Sequence, residues 1–302
     1  MFRRMIYQVH LWIGIALGLY VLMMSVTGSA IVARRELIPL MVAQSVAIAG
    51  ERMDHDQLER AARKVYPDSR VLDIHEDLRP VRSGGYGNRR GPIDPSLARP
   101  AQVTLERDGT TRTRLINPFT GEDLGDEQPW TLKLLVWTTE LHADLLGGTT
   151  GRTINGYLGL VFVLLLLSGL VTWTMRGRRH FFIRRHIDWR RQTLQLHSSF
   201  GFWPFLLLLL WAVSGLYLTF PTAFNVVLEV FFPAVDGFSE RADRITAWLS
   251  TAHFGRFGGL GIRWTWIVLG LVPAVLFVSG LILWSISVVK PWLKRQSLRR
   301  QA

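Results

Sequence analysis

Two stretches of this chain, Trp137 to Trp173 and Trp248 to Trp284, follow one pattern, W-x4-H-x4-G-G-x19-S-G-L-x2-W, and align without a gap. The fixed points of the first copy are Trp137, His142, Gly147, Gly148, Ser168, Gly169, Leu170 and Trp173. Those of the second are Trp248, His253, Gly258, Gly259, Ser279, Gly280, Leu281 and Trp284. Arg152 and Arg263 fall at one place in this frame, as do the triplets that start at Leu158 and Leu269. A related repeat, H-x3-G-x12-S/T-G, occurs at His10, Gly14, Thr27 and Gly28 and again at His197, Gly201, Ser214 and Gly215. Repeats of this size determine which positions are equivalent before any residue is given a role. The chain reads as two copies of a two-helix unit, with His10 matched to His197 and His142 to His253.

Four uncharged apolar runs carry the repeats: Leu11 to Ala33, Thr153 to Met175, Ser198 to Leu228 and Trp264 to Val289. Each exceeds the roughly 20 residues needed to cross a hydrocarbon core about 30 Å thick. The expected fold class is therefore mainly α and integral to a membrane, a four-transmembrane-helix bundle built from the duplicated unit. Arg3 and Arg4, with the small residues Gly28-Ser29-Ala30, give the first run some likeness to a secretory signal. Its length and its match to the third run favour a retained span. Arginines at 176, 178, 179, 184, 185, 190 and 191, and the tail residues Lys290, Lys294, Arg295, Arg299 and Arg300, place those ends in the cytoplasm. The formal charge of +12 is then a topology signal and an attraction for anionic membrane lipid, not a nucleic-acid surface.

The organisation expected is a first transmembrane helix in residues 1–33, an extracytoplasmic module in 34–128, a surface helix and second span in 129–175, a basic cytoplasmic loop in 176–196, and the remaining two spans with an outer loop and cytoplasmic tail in 197–302. Helical spacing runs from Asp54 to Tyr66, and strand-like stretches follow at Val71 to His75, Ala101 to Glu106 and Thr113 to Ile116. Between the first two strands, Ser83 to Pro100 is rich in Gly, Pro and Arg and reads as a mobile hairpin loop. Asn117 to Glu122 reads as a turn leading out of the last strand. A helix from Trp130 to Leu146 ends at Gly147 and Gly148, and its counterpart runs from Ala242 to Phe257. Phe220 to Phe238 is aromatic and continues the third helix before turning along the outer surface.

The segment His10-Leu-Trp-Ile-Gly14 with Thr27-Gly28, the phrase Asn117-Pro-Phe-Thr-Gly121-Glu122, and the histidine repeats at 142 and 253 together resemble the PepSY-associated transmembrane proteins. That family includes ferric-siderophore reductases of the bacterial inner membrane, and the likeness covers nearly the whole chain. The resemblance implies a small α+β, PepSY-like extracytoplasmic module, a helical bundle that binds two b-type haems, and electron flow that reduces iron outside. It also implies a multi-pass protein of the bacterial inner membrane, here with both termini cytoplasmic. The Gly/Arg insertion at Ser83 to Pro100 departs from a compact module of that kind.

Four histidines at repeat-equivalent positions carry the chemistry. His10 and His197 lie at cytoplasmic helix starts, and His142 and His253 lie just outside the membrane on the other face. Paired neutral imidazoles facing each other across a bundle are what a six-coordinate b-type haem needs. Pairing His10 with His142 would span the whole hydrocarbon layer. Cysteine is absent, which excludes thiolate sites and covalent haem attachment, so two non-covalent haem b groups are expected. Gly14 and Gly201 lie one turn beyond His10 and His197 on the same face, where a flat ring bound to the imidazole would meet any larger side chain. At Gly14 and Gly18 the G-x-x-x-G spacing also suits tight helix packing. Arg152 and Arg263 start their spans ten residues after a histidine, where Arg either snorkels or binds a haem propionate. His55, His75, His180 and His186 have no repeat partners and read as surface residues.

Two functions fit these residues. One is a transmembrane reductase that passes electrons from a quinol or a cytoplasmic-side donor to a ferric siderophore or other ferric chelate; no G-x-G-x-x-G follows a strand, so a bound nicotinamide or flavin is not indicated. The other is a binding or regulatory membrane protein without redox activity.

Overall fold

No water is available inside a bilayer, so each backbone N–H and C=O of a spanning segment has to find its partner within that segment. Long apolar runs therefore become helices. The computed structural model describes residues 1–82, 92–175, 181–183, 188–231 and 238–301. The chain opens with helix α1 (Phe2–Val32), followed by α2 (Arg34–Met41), β1 (Val46–Ala47), α3 (His55–Val65), β2 (Arg70–Glu76), β3 (Leu97–Ala98), β4 (Ala101–Arg107), β5 (Thr110–Ile116), β6 (Asp123–Asp126) and α4 (Trp130–Asp144). Then come α5 (Gly148–Thr174), α6 (Trp189–Phe202), α7 (Phe205–Thr219), α8 (Pro221–Phe231), α9 (Phe238–His253), α10 (Leu260–Gly270) and α11 (Val272–Trp284). A π-helical turn, Ser285–Val289, joins α11 to α12 (Lys290–Gln301). Residues fall into two compact units, one of Met1–Val32 with Thr138–Ala302 and one of Ala33–Trp137.

In the helical unit α1, α5 and the run Leu260–Arg300 are each long and apolar enough to cross a membrane, and α6 with α7, bent by 57°, passes as a fourth span if the pair is counted together. The chain is a multi-pass membrane protein. Leu19, Leu164, Leu206 and Val268 stay exposed on these helices, as side chains facing lipid do. α1 packs against α5 and against α10 and α11; α5 packs on α7 and α6, and α6 returns to α11. The helices thus close a ring.

Prolines break the ring's members. Pro204 has no N–H for the Phe200 carbonyl and its ring crowds that turn, so α6 stops and α7 restarts with Leu208 N–H donating to Pro204 O at 2.9 Å. The third apolar run is therefore two helices, and Pro221 opens a separate α8 rather than a continuation. At the α10–α11 break before Pro273, Ser25 of α1 enters the backbone ladder. Its hydroxyl donates to Gly270 O at 2.5 Å and accepts from Ala274 N–H at 3.2 Å, a side-chain insertion of the kind that bends helices.

The other unit is α+β. Strands run antiparallel in the order β2-β4-β5-β6. Alternation along β4 turns Ala101, Val103 and Leu105 to one face, where they form a core with Ile74, Ile116 and, from α3, Leu58 and Ala62. Asp54 caps α3 in a capping box with Gln57. The stretch Asn117 to Glu122 is a turn closed by Asn117 N–H to Glu122 O at 2.8 Å, with Gly121 at φ +74°, and it feeds a fourth strand, β6, that strand-like composition did not indicate. β1 pairs with β3, two residues each, too short to show a period. Residues 83–91 of the expected hairpin loop lie outside the described residues; the rest holds β3 and an Arg82–Ile93 bridge.

Candidate functional site

Each of the four repeat histidines meets a hydroxyl from another helix. His10 of α1 lies 3.1 Å from Ser168 Oγ of α5, and His197 of α6 lies 2.9 Å from Ser279 Oγ of α11. His142, near the end of α4, lies 2.9 Å from Thr27 Oγ1 of α1, and His253, the last residue of α9, lies 2.8 Å from Ser214 Oγ of α7. Every contact uses the ring's Nδ1.

Hydrogen-bond accounting then assigns the tautomer. A hydroxyl has one hydrogen to give, and each of these is donated to its own helix: Thr27 to Met23 O at 2.7 Å, Ser168 to Leu165 O at 2.9 Å, Ser214 to Leu210 O at 2.6 Å and Ser279 to Val275 O at 2.7 Å. With its hydrogen on its own helix, the oxygen accepts from the imidazole. At three positions a backbone carbonyl three residues before the hydroxyl also faces the ring: Leu165 for His10, at 3.2 Å, Met24 for His142 and Trp211 for His253. A carbonyl never donates. The carbonyls beside His10, His142 and His253 call for a hydrogen on the ring nitrogen they face, and the same arrangement of hydroxyl hydrogens puts one on Nδ1 of His197, which would make Nε2 the metal-binding nitrogen.

Beside every hydroxyl stands a glycine that makes room for the ring. A Cβ on Gly28 would come 2.8 Å from His142 Cε1; on Gly169, 3.0 Å from His10 Cε1; on Gly280, 3.2 Å from His197 Cε1; and on Gly215, 3.6 Å from His253 Cε1.

The His10 and His197 rings are 6.4 Å apart, centre to centre, with planes at 73°. Two imidazoles bound to one metal from opposite sides, with metal–nitrogen bonds of about 2 Å, put their ring centres about 6 Å apart. The pair lines a cavity of about 630 Å³ whose walls include Gly14, Gly169, Gly201, Gly280 and Phe277, a volume within the usual range for cofactor pockets. At Gly14 and Gly201 an added methyl would meet only a leucine, at 3.6 and 3.8 Å, so these glycines border open space. Gly18 does the packing: the Phe277 ring would lie 2.0 Å from its Cβ. Asp188, Arg190 and Arg191 line the same cavity.

His142 and His253 sit on helices that stop at them. Both rings are half-buried by accessible surface, and enough protein encloses them that burial pushes His142 down to about 4 and His253 down to about 3, the neighbouring His142 adding to the second shift. Both are neutral at pH 7. The last carbonyls of a helix have no partner within it. Asn155 of α5 supplies one, donating to His142 O at 2.9 Å and Ala143 O at 3.0 Å while Tyr20 holds its Oδ1 at 2.7 Å. At the position matching Asn155 in the repeat, Trp266 donates from Nε1 to Ala252 O at 2.9 Å. Beyond α4 the chain reverses through Leu145 and Leu146, both left-handed at φ +54° and +60°, two residues before the glycines expected to do so. Asp144 fixes this turn by accepting Leu146 N–H at its Oδ1, 3.2 Å.

Arg152 is exposed on the first turn of α5, and Arg263 is half-buried on the first turn of α10. Beyond burial and His142, Arg256 adds a smaller lowering of His253 and lies 4.2 Å over the Phe254 ring; no repeat pointed to it. His55 and His75 are exposed, and His180 and His186 lie outside the described residues. Among the described residues no three His, Asp or Glu side chains converge, so a closed zinc site has no donor set there.

The family model described as the PepSY-associated TM region matches residues 7–237 and 232–286. No curated protein matches the chain.

Proposed function

The chain belongs to the PepSY-associated TM family, and from that premise we propose that it is a four-span membrane protein that conducts electrons across the bilayer, holds two haem b groups and reduces an external ferric chelate such as a ferric siderophore. The observation that carries this reading is the four imidazoles, each held at Nδ1 by a hydroxyl of another helix and gathered as His10 with His197 and His142 with His253. When bound, haem supplies a one-electron ferric/ferrous couple at each pair. With no cysteine in the chain, both groups are held without thioether bonds.

The rest of the work belongs to the protein. His10 and His197 would hold the first group, in a cavity bordered by Gly14 and Gly201. His142 and His253 do the same for the second group, with Asn155 and Trp266 holding the helix ends that carry them. Along α1, His10 and Thr27, the residue that holds His142, are separated by roughly 25 Å at 1.5 Å per residue, most of a bilayer's hydrocarbon thickness. Arg190, Arg191 and the basic α12 support a cytoplasmic location for the His10 end. One quinol, losing two electrons and two protons, matches two ferric ions each gaining one electron.

Proteoliposomes with donor inside and ferric chelate outside test the reading. His253→Ala is expected to lose ferric reduction while retaining a donor-reducible haem, and His197→Ala to keep a haem that dithionite reduces but the donor does not. Parental rates in both variants would leave a non-redox binding protein as the better reading. Reporter fusions at Asp108, the tip of the β4–β5 hairpin, and at Ser297 should report opposite faces.

A further inference from the structure

One hydroxyl–glycine dipeptide accompanies each histidine: Ser168-Gly169 for His10, Ser279-Gly280 for His197, Thr27-Gly28 for His142 and Ser214-Gly215 for His253. We propose that these four dipeptides are the positioning residues of the ligands, the hydroxyl holding Nδ1–H and so aiming Nε2, the glycine admitting the ring edge. The proposal rests on the haem reading for its consequence, while the geometry stands without it.

The arrangement occurs in both copies of both repeats, each dipeptide sitting on a different helix and facing a histidine from another. In each the hydroxyl's own proton is committed to a carbonyl one turn back, which leaves it only an acceptor's role toward the ring. A hydrogen-bond acceptor on Nδ1–H makes the opposite nitrogen a stronger donor to metal and fixes ring rotation, and its loss typically costs about 10–100-fold in metal affinity. Stronger donation favours the ferric state, so removing the hydroxyl is expected to raise the midpoint potential of the haem at that pair.

The glycines grade the effect. At Gly28 the intruding methyl lies 2.8 Å from Cε1, closer than real Cβ contacts come; at Gly169 and Gly280 the clearances of 3.0 and 3.2 Å force a small ring displacement; at Gly215, 3.6 Å is ordinary contact. Alanine is therefore expected to perturb His142 most, His10 and His197 less, and His253 least.

Full-length protein from haem-replete and haem-depleted cells carries the test. In the replete form, haem content and the ferric low-spin EPR signal are read for G28A, G169A, G280A and G215A, with G261A as a control whose Cβ meets nothing within 4 Å. Supporting results are a perturbation that falls in that order and a raised potential in T27V that T27S restores. G215A as damaging as G28A, or a T27V indistinguishable from the parent, would overturn the proposal. In the depleted form, ¹⁵N resonances of labelled histidines report the tautomer: Nδ1–H in the parent and a mixture for His142 in T27V supports the dipeptide's role. Nε2–H in the parent refutes it. A parent that binds no haem yet shows the first tautomer result would defeat the haem reading and leave the positioning role standing.

Discussion

The two histidine pairs use one holding device in two different backbones. His10 lies within a helix that continues on both sides, and His197 within α6, so the backbone around each ring is already hydrogen-bonded by its own turns. His142 and His253 stand at helix ends, where orphan carbonyls need outside partners. Asn155 and Trp266 meet that need from the same place in the two repeats. Histidine geometry at the second pair is thereby tied to capping interactions that the first pair does not require, and its environment is set chiefly by burial, whereas arginines line the first cavity.

Removal of a ligand has the largest expected effect and treats both pairs alike. His10→Ala or His142→Ala should each eliminate one haem and lower ferric reduction by more than about 100-fold, beyond the range of outer-shell changes. Asn155→Ala should separate the pairs. It strips partners from two carbonyls at the end of α4, at a cost of about 1–3 kcal/mol for each buried group left unsatisfied, and should weaken haem retention at His142/His253 alone. Equal loss at both pairs, resolved by redox titration, would contradict the contrast.

Acid should also act on the second pair through His142 and His253 in haem-depleted protein. Their folded pKa values, about 4 and about 3, lie below the ordinary 6.5 because of burial. The unfolded state then binds more protons between pH 6.5 and those values, so stability is full above pH 6.5 and falls as pH drops through the window, by up to about 1.4 kcal/mol per unit per group. Hydrogen-exchange protection at the ends of α4 and α9, relative to the intrinsic rate at each pH, should fall from pH 7 to pH 5. A smaller change is expected from Arg256→Gln: loss of a cation near the second pair disfavours the reduced state, lowering the potential there by a few tens of millivolts, against about 59 mV for a tenfold one-electron shift.

Much of this arrangement was legible because it repeats. Apolar runs and matched histidines lead from residue pattern to spans and to the pairing of His10 with His197, and helical spacing alone put Gly14 on the face of His10, where it lines the same cavity. The S/T-G dipeptides were visible as fixed points, one for each histidine, but their contact with Nδ1 depends on which helix faces which. Asn155 and Trp266 do equivalent work with different chemistry, so identity matching passed over them. Arg263 matched the repeat and Arg256 did not, yet Arg256, three residues beyond His253, is the arginine whose charge is felt there. Pro204 signals a break inside the third apolar run; composition reads through it because both pieces are apolar. β6 and the β1–β3 pair were missed for the opposite reason, being too short or too glycine-containing to show alternation.

Counting the haem per chain tests the central claim most directly. Purified protein from haem-replete cells, assayed by pyridine haemochrome and by oxidised and dithionite-reduced spectra, is expected to hold two b-type haems that acidified organic solvent extracts completely, with one remaining in His10→Ala and one in His142→Ala. Parent protein without a b-type spectrum, or with a single haem that survives both substitutions, would contradict it.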